Sequence, residues 1–241
     1  MTNRHAFPWK IVGLLTLAIL RGEQRSFRID ATIAVESLRP PLKVIGQAQI
    51  PGPCVITINH YARPGFQAWW LALGVSSVLT NEVHWVVTSA WRYPDRLRSW
   101  MITPVSAWIL EHVAAIYSFI RMPPLPSRPD EVELRAQAVR EILRYARRAD
   151  LPVIGLAPEG GDFSKPGEVA ELPAGSGRLI LHLAELGLAV LPVGAYEADG
   201  RFCLNFGRAF HLEPPSMSSP EVRDTWARRV VRKRMEVLLP K

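Results

Sequence analysis

The chain has 241 residues, 48% of them hydrophobic and 21% charged, with 29 basic against 22 acidic side chains. That length and apolar content allow one well-buried domain and exclude a disordered chain. The net charge of +7 gathers at the ends: residues 1–28 hold five basic against one acidic side chain, and residues 221–241 hold seven against three. Basic ends around a near-neutral body suit an anionic phospholipid surface, and no central basic groove with interleaved aromatics argues for nucleic acid. The only cysteines, Cys54 and Cys203, lie inside apolar runs, so two buried thiols and a reducing compartment are expected rather than disulfides or zinc.

Taken in chain order, the first apolar block is "PWKIVGLLTLAIL", Pro8–Leu20. The ten uncharged residues between Lys10 and Arg21 would make a helix of roughly 15 Å, half a bilayer core. No small-residue cleavage site follows, so an interfacial or half-inserted helix is expected, with Trp9 at the headgroup level and a buried core helix as the alternative. "CVITI" (Cys54–Ile58) reads as a buried strand that ends on Asn59-His60. Glu82 and His84 in "NEVHW" alternate as on a strand. The second apolar block, Trp100–Ile120, contains Pro104, Glu111 and His112, which points to a helix packed on the domain with one greasy face.

The pattern then becomes regular. Arg128–Asp150 carries an apolar helical stripe at Val132, Ala136, Val139, Leu143 and Ala146, with acids at its start and arginines at its end. Leu151–Ala157 reads as a short buried strand, "PEGGDFSKPG" as a loop, Gly175–Gly187 as a helix, and "LAVLPVGAY" and "RFCLNFG" as two strands. From Pro220 a helix is expected with Val222, Trp226, Val230 and Val237 near one face and arginines around the rest, either solvated or attached to a membrane surface. Alternating strands and helices imply an α/β fold with a largely parallel mixed sheet flanked by helices and preceded by an apolar helical segment, with ligands at the C-terminal ends of the strands. The expected divisions are residues 1–35 (membrane-associating helical segment), 36–215 (α/β domain) and 216–241 (basic amphipathic helix).

Two polar loops, "NHYARPG" and "PEGGDFSKPG", directly follow apolar strands, so a parallel sheet would bring His60 and Glu159 to one edge. An imidazole there is a candidate general base. The remaining histidines show no metal-ligand spacing.

Together these loops resemble the glycerolipid acyltransferase family. Asn59-His60 matches the start of its first block, "AAIYSFIRM" its second, "APEGGDFS" its third, and Val190-Leu191-Pro192-Val193 its Val-Pro-Val block, in order over roughly residues 45–210. The resemblance implies that His60 deprotonates an acceptor hydroxyl, which attacks the thioester of acyl-CoA or acyl-carrier protein. It also implies that Pro158-Glu159-Gly160 shapes the acceptor site, that Arg121 holds an acceptor phosphate, and that Asn59, Arg63, Glu159, Gly160 and Arg178 surround the substrate. No metal or redox cofactor is implied.

The chain departs from the family at two places. The family's aspartate, five residues after the histidine, is Gly65 here, and its Thr-Arg pair in the third block is Gly161-Asp162. That aspartate fixes the imidazole tautomer, and loss of the analogous carboxylate in a protease triad costs about four orders of magnitude. Asp162 is the expected replacement, as a second catalytic residue, with Glu82 the weaker candidate. The alternatives are a catalytically impaired lipid- or acyl-CoA-binding homologue and an acyl hydrolase. The resemblance and the basic ends together place the chain at the cytoplasmic face of a membrane, peripheral or monotopic.

Overall fold

Strands that are apolar on both faces need a helical layer on each side, and this chain provides two. The computed structural model describes residues 9–50, 52–61, 63, 66–93, 95–161, 168–214, 216 and 219–240. Its helices are α1 (Trp9–Arg21), α2 (Phe27–Val35), α3 (Trp69–Val78), α4 (Arg96–Tyr117), α5 (Val132–Arg148), α6 (Ser176–Glu185) and α7 (Pro220–Glu236). Its strands are β1 (Lys43–Ile45), β2 (Cys54–Ile58), β3 (His84–Thr88), β4 (Ile120–Met122), β5 (Val153–Leu156), β6 (Ala189–Ala198) and β7 (Arg201–Phe206). They form one sheet in the order β1-β7-β6-β2-β5-β3-β4. Strands β6, β2, β5, β3 and β4 are parallel, β7 is antiparallel to β6, and β1 is parallel to β7.

Alternation along β2 sorts the core into two layers. Cys54, Ile56 and Ile58 point to the side covered by α1 to α4, with Phe27, Trp70, Trp85 and Tyr117. Val55 points to the other side, where α5, α6 and α7 contribute Ile142, Ile180, Val231 and Met235. The expected largely parallel mixed sheet is therefore present. Among the described residues no helix is long and apolar enough to cross a membrane.

Helices α5 and α7 form where the periodicity puts them but bury different faces. In α5 the buried residues are Ala138, Ile142 and Ala146, while Val132 is exposed. Only Ala146 of the expected stripe is buried. A 17-residue helix is about 25 Å long and β4 beside it has three residues, so the first turns of α5 overhang the sheet and keep their apolar groups outside. In α7 the buried face is Asp224, Ala227, Val231 and Met235, and Val222 is exposed. Its cations are largely spent inside the molecule: Arg223 binds Glu185, Arg228 binds Asp224 and the Leu172 carbonyl, Arg232 donates to the Val169 carbonyl, and Arg234 lies over the Phe210 ring.

The close approach of α6 and α7 explains Asp224. Its carboxylate accepts from the main-chain N–H groups of Gly175 (3.2 Å) and Arg178 (2.8 Å), capping α6 from a neighbouring helix. Gly177 is required there, because a methyl group on it would collide with the Asp224 main-chain oxygen.

Segment Trp100–Ile120 is helical only to Tyr117, where Ser118 takes a left-handed conformation (φ 55°), and Ile120–Met122 continues as β4. Tyr117 closes a buried network: its hydroxyl donates to Asp30 Oδ2 (2.7 Å), and Arg25 donates to both Asp30 oxygens (2.8 and 2.6 Å). Burial, and then the Asp30 carboxylate, push the Tyr117 phenol well above its ordinary range. This network fastens the α1–α2 corner to the end of α4.

Both thiols are buried, as expected, and burial raises the Cys54 pKa to about 12. A group raised this far stays protonated at pH 8 and is a poor nucleophile. The folded chain should therefore show no rapid reaction with a disulfide reagent such as DTNB at pH 8, and two reactive thiols once unfolded in guanidinium. Rapid labelling of the native protein would overturn this placement.

Candidate active site

Parallel pairing fixes the edge on which the loops emerge. Cys54 to Thr57 of β2 pair with Val153 to Leu156 of β5, so Asn59-His60 and Pro158-Glu159 leave neighbouring strands at the same level. On the other side, Ile58 pairs with Val193 of β6. His60 thus sits at the C-terminal edge between two flanking strands, where α/β sheets place their ligand sites.

Two local turns shape the site. The Tyr61 N–H bonds the Asn59 carbonyl (2.9 Å), an i to i+2 turn that puts His60, half-buried, at its apex. The Gly160 N–H bonds the Ala157 carbonyl (3.0 Å), closing a four-residue turn with proline second and glycine last. Gly160 adopts φ 74°, the left-handed region that favours glycine, and a side chain there would also have to displace the end of Leu125.

The second turn aims Glu159 inward, where it is 1% exposed. Glu159 Oε1 accepts the main-chain N–H of His60 (2.7 Å) and Oε2 that of Ala170 (2.8 Å). One buried carboxylate therefore ties the histidine turn to the third-block turn and to the segment that follows. Charge-assisted bonds of this kind are about twice as strong as neutral ones, which suits a group that must stay in place. The bond that Glu159 makes here reaches the main chain of His60, so Glu159 acts as a brace.

Asn59 is also a brace. Its side-chain amide donates to the Ala195 carbonyl (3.0 Å) and accepts the Ala195 N–H (2.6 Å), prolonging the β2–β6 ladder by one rung. Asn59 was expected at the substrate; it is buried, with both ends of its amide on Ala195. Arg63 also has a protein partner, Glu197, which it binds through Nε and, at 2.6 Å, through a terminal nitrogen. Tyr61 donates to the same carboxylate (3.3 Å). Hydrogen bonding to Glu197 holds the Arg63 guanidinium above the ordinary arginine range, and burial followed by the Glu197 charge raises the Tyr61 phenol. Edge-to-face packing of Tyr61 on Phe66 (5.0 Å), and of Phe66 near Phe202 (5.4 Å), anchors this loop.

Sequence reading did not single out Glu197. Its signal was available, because it is the one acid in the apolar run from Leu188 to Ala198.

The other expected site residues lie elsewhere. Glu82 is not on a strand; its carboxylate accepts from the Ser26 hydroxyl and the Arg28 N–H (3.3 Å) at the start of α2. His84 pairs with Ile154, and Ile154 with Val55, so Glu82 and His60 are at opposite edges, roughly 20 Å apart along the strands. Glu82 cannot orient His60. Arg121 lies on edge strand β4, three strands from β2 or roughly 14 Å across the sheet, and its side chain pairs with Glu111 of α4 (3.3 Å). The structure does not bring Arg121 to His60. Arg178 is in the first turn of α6 with its guanidinium 3.8 Å from Glu221 of α7. Asp162 and Gly65 lie outside the described residues.

A surface groove of about 540 Å³ is lined by Arg128, Val132, Arg135, Ala136, Val139 and Arg140. His60 does not line it. Among the described residues no three His, Cys, Asp or Glu side chains are grouped to hold a metal. No known family model matches the chain, and no curated protein sequence aligns with it significantly.

Proposed function

We propose that the chain is a membrane-associated acyltransferase, acting at the cytoplasmic face, that moves a fatty acyl group from an acyl thioester to a hydroxyl of a lysophospholipid, glycerol phosphate or related lipid acceptor. The donor would be acyl-CoA or acyl-carrier protein. The observation that carries this reading is the Glu159 bridge, which holds His60 at the sheet edge between the two loops that resemble the family's blocks.

In this reading the His60 imidazole takes the proton of the acceptor hydroxyl as that oxygen attacks the thioester carbonyl. The tetrahedral intermediate collapses with loss of the thiolate, and the imidazolium returns the proton to sulfur. Glu159 and Asn59 hold the histidine turn rigid, and the Arg63–Glu197 pair forms one wall beside it. Asp162, in the third-block loop, is the proposed orienting carboxylate.

The test is a screen of lipid acceptors with labelled long-chain acyl-CoA. One acceptor should be converted, with turnover falling about 10²- to 10⁴-fold in His60→Ala, the range of a general base. Asp162→Asn should fall comparably, whereas unchanged turnover would remove Asp162 from the mechanism. Gly65 in place of the family's aspartate favours a second reading, a lipid- or acyl-CoA-binding homologue. Tight acyl-CoA binding with no acceptor converted would establish that reading instead. His60-dependent release of free fatty acid would point to hydrolysis.

A further inference from the structure

Helix α4 leaves β3 at the edge where His60 emerges from β2, then runs back to start β4, covering about 33 Å in 22 residues. Its two halves differ. The C-terminal part buries Ala114, Ile116 and Tyr117 in the core. The N-terminal part turns one buried polar group inward, Ser106, which receives the Trp91 N–H and donates to the Thr103 carbonyl. Its outer face shows Leu97, Trp100, Met101, Val105, Trp108 and Ile109 to solvent, with Trp100 77% and Trp108 55% exposed. Positions 97, 101, 105 and 108 form one helical ridge, with 100 and 109 flanking it. No described element covers this face. A ridge of six large apolar side chains including two tryptophans is far beyond the scattered exposed residues of an ordinary surface.

Three observations identify what covers it. Helix α1 packs on α4 and carries exposed apolar side chains of its own, Trp9, Leu17 and Leu20. Exposed cations Lys10 and Arg21 lie on α1, and the acids that flank the ridge on α4 are each paired with an arginine, Asp95 with Arg98 and Glu111 with Arg121. Apolar residues with tryptophans and marginal cations are complementary to an anionic lipid leaflet, whereas a second copy would oppose like charges.

We infer that the N-terminal half of α4, continued by α1, is the surface by which this protein lies on an anionic bilayer. The ridge from Leu97 to Ile109 is roughly 20 Å long, so it rests in the plane of the interface. Because the ridge begins at the sheet edge where His60 emerges, docking brings that edge up to the lipid. This last step rests on the acyl-transfer reading; docking itself does not.

The experiment is co-sedimentation of the full chain with vesicles of phosphatidylcholine and phosphatidylglycerol. The double variant Trp100→Glu, Trp108→Glu should bind about tenfold or more weakly, with its melting temperature unchanged because both residues are exposed. Val222→Glu with Val237→Glu, exposed positions in α7 and at its C-cap, adds the same charge and should bind as the wild type. Equal binding by the wild type and the α4 variant overturns the inference. So does a change from dimer to monomer in the α4 variant without loss of vesicle binding, which would assign the face to a second copy. Acyl transfer to a water-soluble short-chain acceptor should survive in the α4 variant. Docking without transfer by the wild type would sink the catalytic reading alone.

Discussion

Glu159→Gln is expected to destabilise the fold by about 2 kcal/mol and to lower acyl transfer by two orders of magnitude or more, although glutamine has nearly the same shape. Both carboxylate oxygens of Glu159 accept main-chain N–H groups, from His60 and Ala170. A glutamine keeps one acceptor and turns an NH₂ toward the second donor, so one buried N–H loses its partner. Leaving a buried donor unsatisfied costs about 1–3 kcal/mol, more where a charged acceptor is lost. Displacement of the histidine turn by about 1 Å is sufficient for a hundredfold loss of rate. Glu159→Ala should be worse, since both donors are stranded. Urea midpoints give the stability change, and turnover measured well below the melting temperature separates the catalytic effect from unfolding. A wild-type midpoint for Glu159→Gln would show that the bridge does not hold the loops.

The second large effect is expected away from the site, at Asp30. This carboxylate is fully buried, accepts two bonds from Arg25 and one from the Tyr117 hydroxyl, and joins the α1–α2 corner to α4. Asp30→Ala should cost about 3 kcal/mol, because it strands a mostly buried guanidinium and a buried phenol together. Asp30→Asn can still accept from Tyr117 but loses the charge, so an intermediate loss is expected. If docking uses α1 together with α4, Asp30→Ala should also weaken vesicle binding below its melting temperature, because α1 loses its attachment. Thermal unfolding followed by circular dichroism measures the first effect and vesicle co-sedimentation the second.

Several elements were legible before any coordinates. The strands after Asp150 and the helices α5, α6 and α7 follow from apolar runs, glycine stops and the charge bias of helix ends. The emergence of His60 and Glu159 on one edge follows from parallel pairing alone, because each directly follows an apolar run. The inward faces of α5 and α7 were not legible. Alanine and the aliphatic stems of arginine make several stripes nearly equivalent in sequence, and the packing of α5 against β4 and α6 decides which is buried.

What the sequence determined by itself is therefore α1, β2, most of α4 and the elements from α5 onward, the buried thiols, and the pair of loops that meet around His60, whereas α2, α3 and β1 were not read from it; the legible features depend on local periodicity and on the direction of strands. What only the tertiary structure decided is what each polar residue serves. The strand order puts Arg121 three strands away and Glu82 at the opposite edge, while Asn59, Glu159 and Glu197 meet groups more than ninety positions distant in the chain. Side-chain partners at such separations follow from strand order and packing, and local sequence spacing carries neither.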